Sequence, residues 1–171
     1  EILYLKAIEI RGNVLGKRSI PYSQSLNNLG LMYSNTGALS KARDLLLEVQ
    51  SIRAEVLGKN HPSYAFILSN LGNIVDKMGQ YAEAEQYYLE ALSVQKVFLD
   101  KTNLDYTITL YNLAVFYFEH EVFLKSENAY SSLLITYDTL IGKENGDYLR
   151  AVNNFGVLKV QMGDFEQAEA L

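Results

Sequence analysis

The chain has no cysteine and no tryptophan, and only two prolines and two histidines among 171 residues. Without thiols it can make no disulfide, no cysteine-ligated metal site and no thiolate nucleophile. His61 and His120 are the only imidazoles, and neither has a second histidine at ligand spacing. No apolar run approaches the ~20 residues that a membrane span needs. Nor does a basic start lead into a short apolar core, as a secretory signal would. Lysine and arginine number 15 against 20 Asp and Glu, for a net charge of −5, and they form no basic run. Nucleic-acid binding needs such clustering, because affinity comes from counterion release along the phosphates. These absences predict no cofactor, no metal, no nucleic-acid partner and no membrane insertion, with a cytoplasmic location as the matching expectation. What is present is an ordinary globular balance, 49% hydrophobic and 20% charged.

The strongest positive signal is a beat. Asn28-Leu29-Gly30, Asn70-Leu71-Gly72, Asn112-Leu113-Ala114 and Asn154-Phe155-Gly156 recur every 42 residues without insertion or deletion. A fixed period in this range marks a stacked repeat array, in which each unit buries its apolar face on its neighbours. The glycines follow that period and form no phosphate-cradling loop. The chain opens at Glu1 in mid-phase, aligned with Arg43, Glu85, Glu127 and Glu169, so it reads as a segment of a longer array. The expected layout is a truncated second helix at 1–18, units at 19–60, 61–102 and 103–144, and a truncated unit at 145–171.

Within each unit the apolar spacing is helical. Ile2 to Leu15 carries a broad apolar stripe and predicts a helix packed on at least one side, with Ile2, Leu5 and Ile8 left partly exposed. It ends at Gly16-Lys17, as later segments end at Gly58-Lys59, Asp100-Lys101 and Gly142-Lys143, which suits a left-handed glycine cap. The loops beyond carry Pro21 and Pro62 and deliver a tyrosine at one phase: Tyr22, Tyr64, Tyr106 and Tyr148. These tyrosines are expected to pack under the loop between units. First helices are predicted over about 23–36, 65–78, 107–120 and 149–162. Tight turns follow at Gly37, Gly79 and Gly163, with Glu121 as the exception. Second helices then open at Leu39, Tyr81, Phe123 and Phe165. The mid-helix Gly30, Gly72, Ala114 and Gly156 imply close approach of the second helix through Ala42, Ala84 or Ala168. Two antiparallel helices joined by a short turn make a helix hairpin.

Leu71-Gly72, Gly79, Tyr81, Ala84, Tyr88 and Ala91 together resemble the tetratricopeptide repeat (TPR). The familiar period is 34 residues, and the 42-residue form with Leu57-Gly58-Lys59-Asn60-His61-Pro62 is similar to the repeats of kinesin light chains. The excess falls in a longer second helix and its exit loop. The resemblance covers the whole chain and implies an all-α, right-handed α-solenoid of stacked antiparallel helix hairpins. It is weakest in the third unit, where Asp100, Glu121 and Ser126 depart from the pattern and predict a looser turn and a local hinge.

In such arrays the first helices line a concave groove, and the resemblance carries that role onto matching phases here. They are Gln24, Asn27, Asn28, Leu31 and Asn35 in the first unit, then Phe66, Ser69, Asn70, Asn73 and Lys77. The third unit gives Ile108, Tyr111, Asn112, Val115 and Glu119, and the fourth Arg150, Asn153, Asn154, Val157 and Gln161. Asn28, Asn70, Asn112 and Asn154 make a ladder of carboxamides able to donate to and accept from an extended peptide backbone. Phe66, Ile108, Tyr111, Val115 and Val157 would supply apolar pockets between the rungs. The alternative is structural: the same asparagines bond a neighbouring helix and hold the array together. Only Lys77 and Arg150 are basic, so the carboxylate clamp of chaperone-binding TPRs is not expected.

Catalysis finds no support. His61 reads as a loop-capping or solvent-facing side chain and His120 as a partly buried helix end. Glu83, Glu85 and Glu90 read as a solvated face rather than an acid–base pair. The expected function is a non-catalytic protein–protein interaction module that binds a peptide or adaptor segment in the groove. Alternatives are a regulatory array of a larger protein with an effector domain elsewhere, and a scaffold that self-associates through its ends.

Overall fold

Proline opens two of the helices. In the computed structural model, which describes residues 1–98 and 104–171, the first helices of the hairpins begin earlier than expected. Helix α2 spans Ile20–Asn35 and α4 spans Pro62–Lys77, so Pro21 and Pro62 sit inside the first turn. Proline is tolerated there because the amide it lacks would have had no intrahelical partner. Helices α6 (Asp105–Glu119) and α8 (Gly146–Gln161) complete the set, each ending within a residue of expectation. Helix α1 spans Ile2–Leu15, and the second helices open where the aromatic and leucine phases place them. These are α3 (Leu39–Leu57), α5 (Tyr81–Gln95, followed by a 3-10 turn at Lys96–Phe98), α7 (Phe123–Leu140) and α9 (Phe165–Ala170). Helices α3 and α7, at 19 and 18 residues, hold the extra length of the period.

The chain divides into two units, Glu1–Val97 and Phe98–Leu171. In the first, each helix packs on its sequence neighbours from α1 to α5, and α2 also touches α4. One core cluster joins Tyr22, Leu26, Ala42, Leu46, Val49, Ile52, Ile67, Leu71 and Ile74. A smaller one joins Tyr64, Ala65, Leu68 and Ala91. In the second unit α6 packs on α7, α7 on α8 and α8 on α9. Leu110, Leu113, Phe116, Tyr130, Leu133, Tyr137, Phe155 and Leu158 are its buried core. Helix α1 buries no residue; Ile2, Leu3, Ile10 and Val14 are exposed, while Ile8 leans on the core and Gly12 lies under the Tyr22 ring. No helix among the described residues is long and apolar enough to cross a membrane. Asp100-Lys101, the variant helix exit, lies outside the described residues.

Glycine does two different jobs. At the exits, Gly16 and Gly58 have φ +84° with ψ near 152° and 157°. That is the extended positive-φ region open essentially to glycine alone, not the left-handed helical cap that the sequence suggested. At the hairpin turns the motif is the expected one: Gly79 N–H donates to the Asp76 carbonyl at 2.8 Å and Gln80 N–H to the Val75 carbonyl at 2.9 Å. Glu121 keeps the same pair of bonds, to Phe118 at 3.1 Å and from Val122 to Tyr117 at 2.8 Å, at a φ of 59°. The third turn is therefore not looser, and the expected hinge has no structural basis there. Its cost is a side chain held in the left-handed region.

Close approach of paired helices is confirmed, but its agent differs by hairpin. A Cβ on Gly30 would lie 3.4 Å from the Ala42 carbonyl oxygen, and one on Gly72 only 2.9 Å from the Tyr88 ring. On Gly156 the nearest such atom is 4.0 Å away. Ser126, a departure by sequence, donates its hydroxyl to the Ala114 carbonyl at 2.8 Å, so it fastens α7 to α6.

Candidate functional site

Helix N-caps settle the first candidate side chain. His61 Nδ1 accepts the Ser63 N–H at 3.1 Å, so this imidazole caps α4, as Ser19 caps α2 and Asn145 caps α8. His120 closes α6 with its ring edge-on to Phe116, the ring centres 4.8 Å apart. No group of three or more His, Asp or Glu side chains among the described residues has metal-binding geometry. The phase tyrosines are braces: Tyr22 and Tyr64 are buried and donate from their hydroxyls to Glu48 and Glu90 of their own hairpins, at 3.3 and 3.4 Å. Tyr106 and Tyr148 at the same phase are half-buried.

In the first unit the groove-phase side chains form one hydrogen-bonded network. Arg53 donates to Gln24 Oε1 at 3.0 Å, and Gln24 Nε2 to Asn28 Oδ1 at 3.1 Å. Asn27, itself buried, donates to the same Asn28 oxygen at 3.4 Å, and its own Oδ1 accepts from Asn70 Nδ2 at 3.2 Å. Asn73 is also committed, donating to the Ser69 carbonyl and accepting from Tyr88 Oη at 3.0 Å. Asn70 thus ties α4 to α2. Phe66 leans on the core and Lys77 is exposed. A cleft of about 330 Å³ opens beside this network, lined by Tyr4, Asn28, Leu31, Met32, Asn35 and Thr36.

The second unit repeats the tie with different chemistry. Asn154 Nδ2 donates to Tyr111 Oη at 2.7 Å, joining α8 to α6. Tyr111 is capped by the Arg150 guanidinium at 4.9 Å from its ring centre, and Arg150 also pairs with Asp147 at 3.0 Å. Below them Tyr130 of α7 meets Tyr111 edge-on at 6.4 Å and stacks on Phe155 at 5.8 Å. Burial, with the neighbouring Tyr111 second, pushes the Tyr130 phenol up to about 12. A pocket of about 200 Å³ opens above this floor, walled by Val115, Phe118 and Glu119 of α6 and Asn154 and Val157 of α8. Ile108 and Val157 are nearly half exposed, and Asn153 is exposed. Asn112 makes no side-chain hydrogen bond among the described residues.

Of the four asparagine rungs, two are helix-to-helix ties, one is an acceptor inside a network and one is unspent among the described residues. Sequence reasoning missed Lys159, buried at the phase of Tyr33, Val75 and Tyr117, where it pairs with Glu127 and lies 3.5 Å from Asp164. It also missed the phase of Arg11 and Arg53. Arg11 donates to the Pro21 carbonyl at 2.9 Å and Arg53 to the Ser63 carbonyl at 2.7 Å, each bracing the start of the next first helix. The 42-residue register was the available signal, and it points on to Gln95, buried with neither amide atom hydrogen-bonded among the described residues.

A family model described as tetratricopeptide repeat matches residues 24–96. No curated protein sequence matches the chain. Among solved structures, BtubC (BKLC) from P. vanneervenii is 24% identical, with a TM-score of 0.85 over 99% of this chain and 67% of that one. A Podosopora anserina protein of kinesin light chain type with nearly identical TPR-like repeats is 18% identical in two crystal structures. Each covers 99% of this chain and 80% of that one, with TM-scores of 0.81 for a singly substituted form and 0.80 for the other. Residues 24–96 thus match the tetratricopeptide repeat model, and the chain shares the all-α, TPR-like fold of these solved structures.

Proposed function

We propose that this chain is a non-catalytic interaction module whose first-helix faces bind an extended peptide or adaptor segment of a protein partner. TPR repeats are in general protein-interaction modules, and the proposal narrows that role to a groove and an occupant. The observation that carries it is the mixture on the α6 and α8 faces. Ile108 and Val157 stand nearly half exposed beside Asn112, whose carboxamide is unspent among the described residues, and Asn153, which is exposed. Exposed apolar side chains interleaved with available amides suit a bound backbone with alternate side chains. We take the array as repeats at 19–60, 61–102 and 103–144, flanked by partial units at 1–18 and 145–171. A cytoplasmic setting and the absence of nucleic-acid partners belong to the same proposal.

The test is affinity capture with the wild type beside Ile108→Asp/Asn112→Ala, after both are shown to melt alike. The double substitution leaves the interhelix ties intact, unlike changes at Asn70 or Asn154. Loss of captured partners with the fold unchanged supports the groove; the same partners at the same yield overturn it. A second reading, self-association, is favoured by the exposed Ile2, Leu3, Ile10 and Val14 of α1. Sedimentation would then show a mass that grows with concentration and falls back with Leu3→Glu.

A further inference from the structure

Residues 104–171 hold ten Asp and Glu against four Lys and Arg, a net of −6, whereas residues 1–98 hold nine against ten. All four cations of residues 104–171 are already engaged. Lys159 is buried against Glu127 and Asp164, Arg150 pairs with Asp147, Lys143 pairs with Asp138, and Lys125 lies over the Tyr117 ring. Glu119, by contrast, is exposed at the rim of the pocket and has no ion-pair or hydrogen-bond partner among the described residues. The pocket beneath it holds roughly six waters' share of liquid volume, enough for one large apolar side chain. Its floor is set in advance, because Tyr130 is stacked on Phe155 and edge-on to Tyr111, so little ordering remains to be done on binding.

We infer that this pocket takes the apolar anchor of a basic peptide segment, with Glu119 pairing a lysine or arginine next to that anchor. The assignment rests on the groove reading above and narrows its occupant. Val115, Phe118 and Val157 desolvate the anchor, and the side-chain Oδ1 of Asn154, whose Nδ2 donates to Tyr111, accepts a backbone N–H beside it. The acidic surface steers a basic segment in and disfavours an acidic one, since Arg150, the one cation at a groove phase here, is neutralised by Asp147.

Random peptides displayed on phage and selected on the intact chain provide the probe. The expected consensus is an aliphatic residue or methionine with Lys or Arg within a few positions. A synthetic consensus peptide, followed by fluorescence anisotropy, should bind about tenfold more weakly to Glu119→Lys and to Val157→Asp. Its affinity for the wild type should also fall as salt rises. Glu119→Lys is a surface change and carries the test if Val157→Asp disturbs packing. An acidic consensus, or binding unchanged in both variants yet lost in Ile108→Asp/Asn112→Ala, overturns the pocket and leaves the groove reading standing. Enrichment of no peptide over a control protein overturns both.

Discussion

At single positions, backbone geometry predicts stability more sharply than composition does. Gly58 occupies a positive-φ extended conformation, so Gly58→Ala should cost on the order of 1–3 kcal/mol. Glu121 holds the left-handed turn conformation that glycine fills elsewhere, so Glu121→Gly should gain about 1 kcal/mol. Urea midpoints moving in opposite directions check the pair. Tyr130 answers to pH. Its phenol is raised from 10.0 to about 12, so the folded state favours the neutral form more than the unfolded state does. That contribution is complete below pH 10 and is lost between pH 10 and 12, on the order of 2 kcal/mol in all. Melting temperature should fall across that window, and Tyr130→Phe should flatten part of the fall. Lys159 acts with the same sign: its bond to Glu127 raises it above its usual 10.5, so its share is also lost only as pH climbs through the folded value. A lysine at an apolar phase is illegible in the sequence, because its partners lie on two other segments, at Glu127 and Asp164.

Helices were the legible scale. Residue periodicity located α1 and the starts of α3, α5, α7 and α9, because turn glycines and the apolar beat act locally. It places α2 and α4 three residues late, because proline signals a loop as readily as the first helical turn that Pro21 and Pro62 occupy. Interhelix ties such as Asn70 to Asn27 and Asn154 to Tyr111 span 43 residues, one more than the period, so they join different phases and no single-phase reading finds them. Helix pairs that share a motif also differ in tightness. Gly72→Ala should cost ~1–3 kcal/mol, because Tyr88 is buried and its hydroxyl is bonded to Asn73, leaving the ring little room to retreat. Gly156→Ala meets no such wall and should gain ~0.5–1 kcal/mol from helix propensity. Thermal melts of the two variants test the contrast. Gln95→Met should raise the melting temperature, by about 1 kcal/mol of stability, because it removes a buried amide without partners among the described residues.

For the molecule as a whole, charge and order both depend on which stretch of the chain is considered. Residues 104–171 carry a net −6 and account for the chain's −5, so ionic strength should act on binding through that stretch and leave changes confined to α2 and α4 almost indifferent to salt. Order follows from the side chain at the Arg53 phase, late in each second helix. A hairpin with arginine at this phase, as at Arg53, carries its own fastening for the first helix that follows, since the guanidinium needs only a backbone carbonyl, as at Ser63, and every chain supplies one. A hairpin ending in Gln95 carries no such general fastening among the described residues. Duplication of hairpins, in evolution or by design, is therefore easiest after Arg53, where a new copy inherits a joint that does not read its neighbour's sequence.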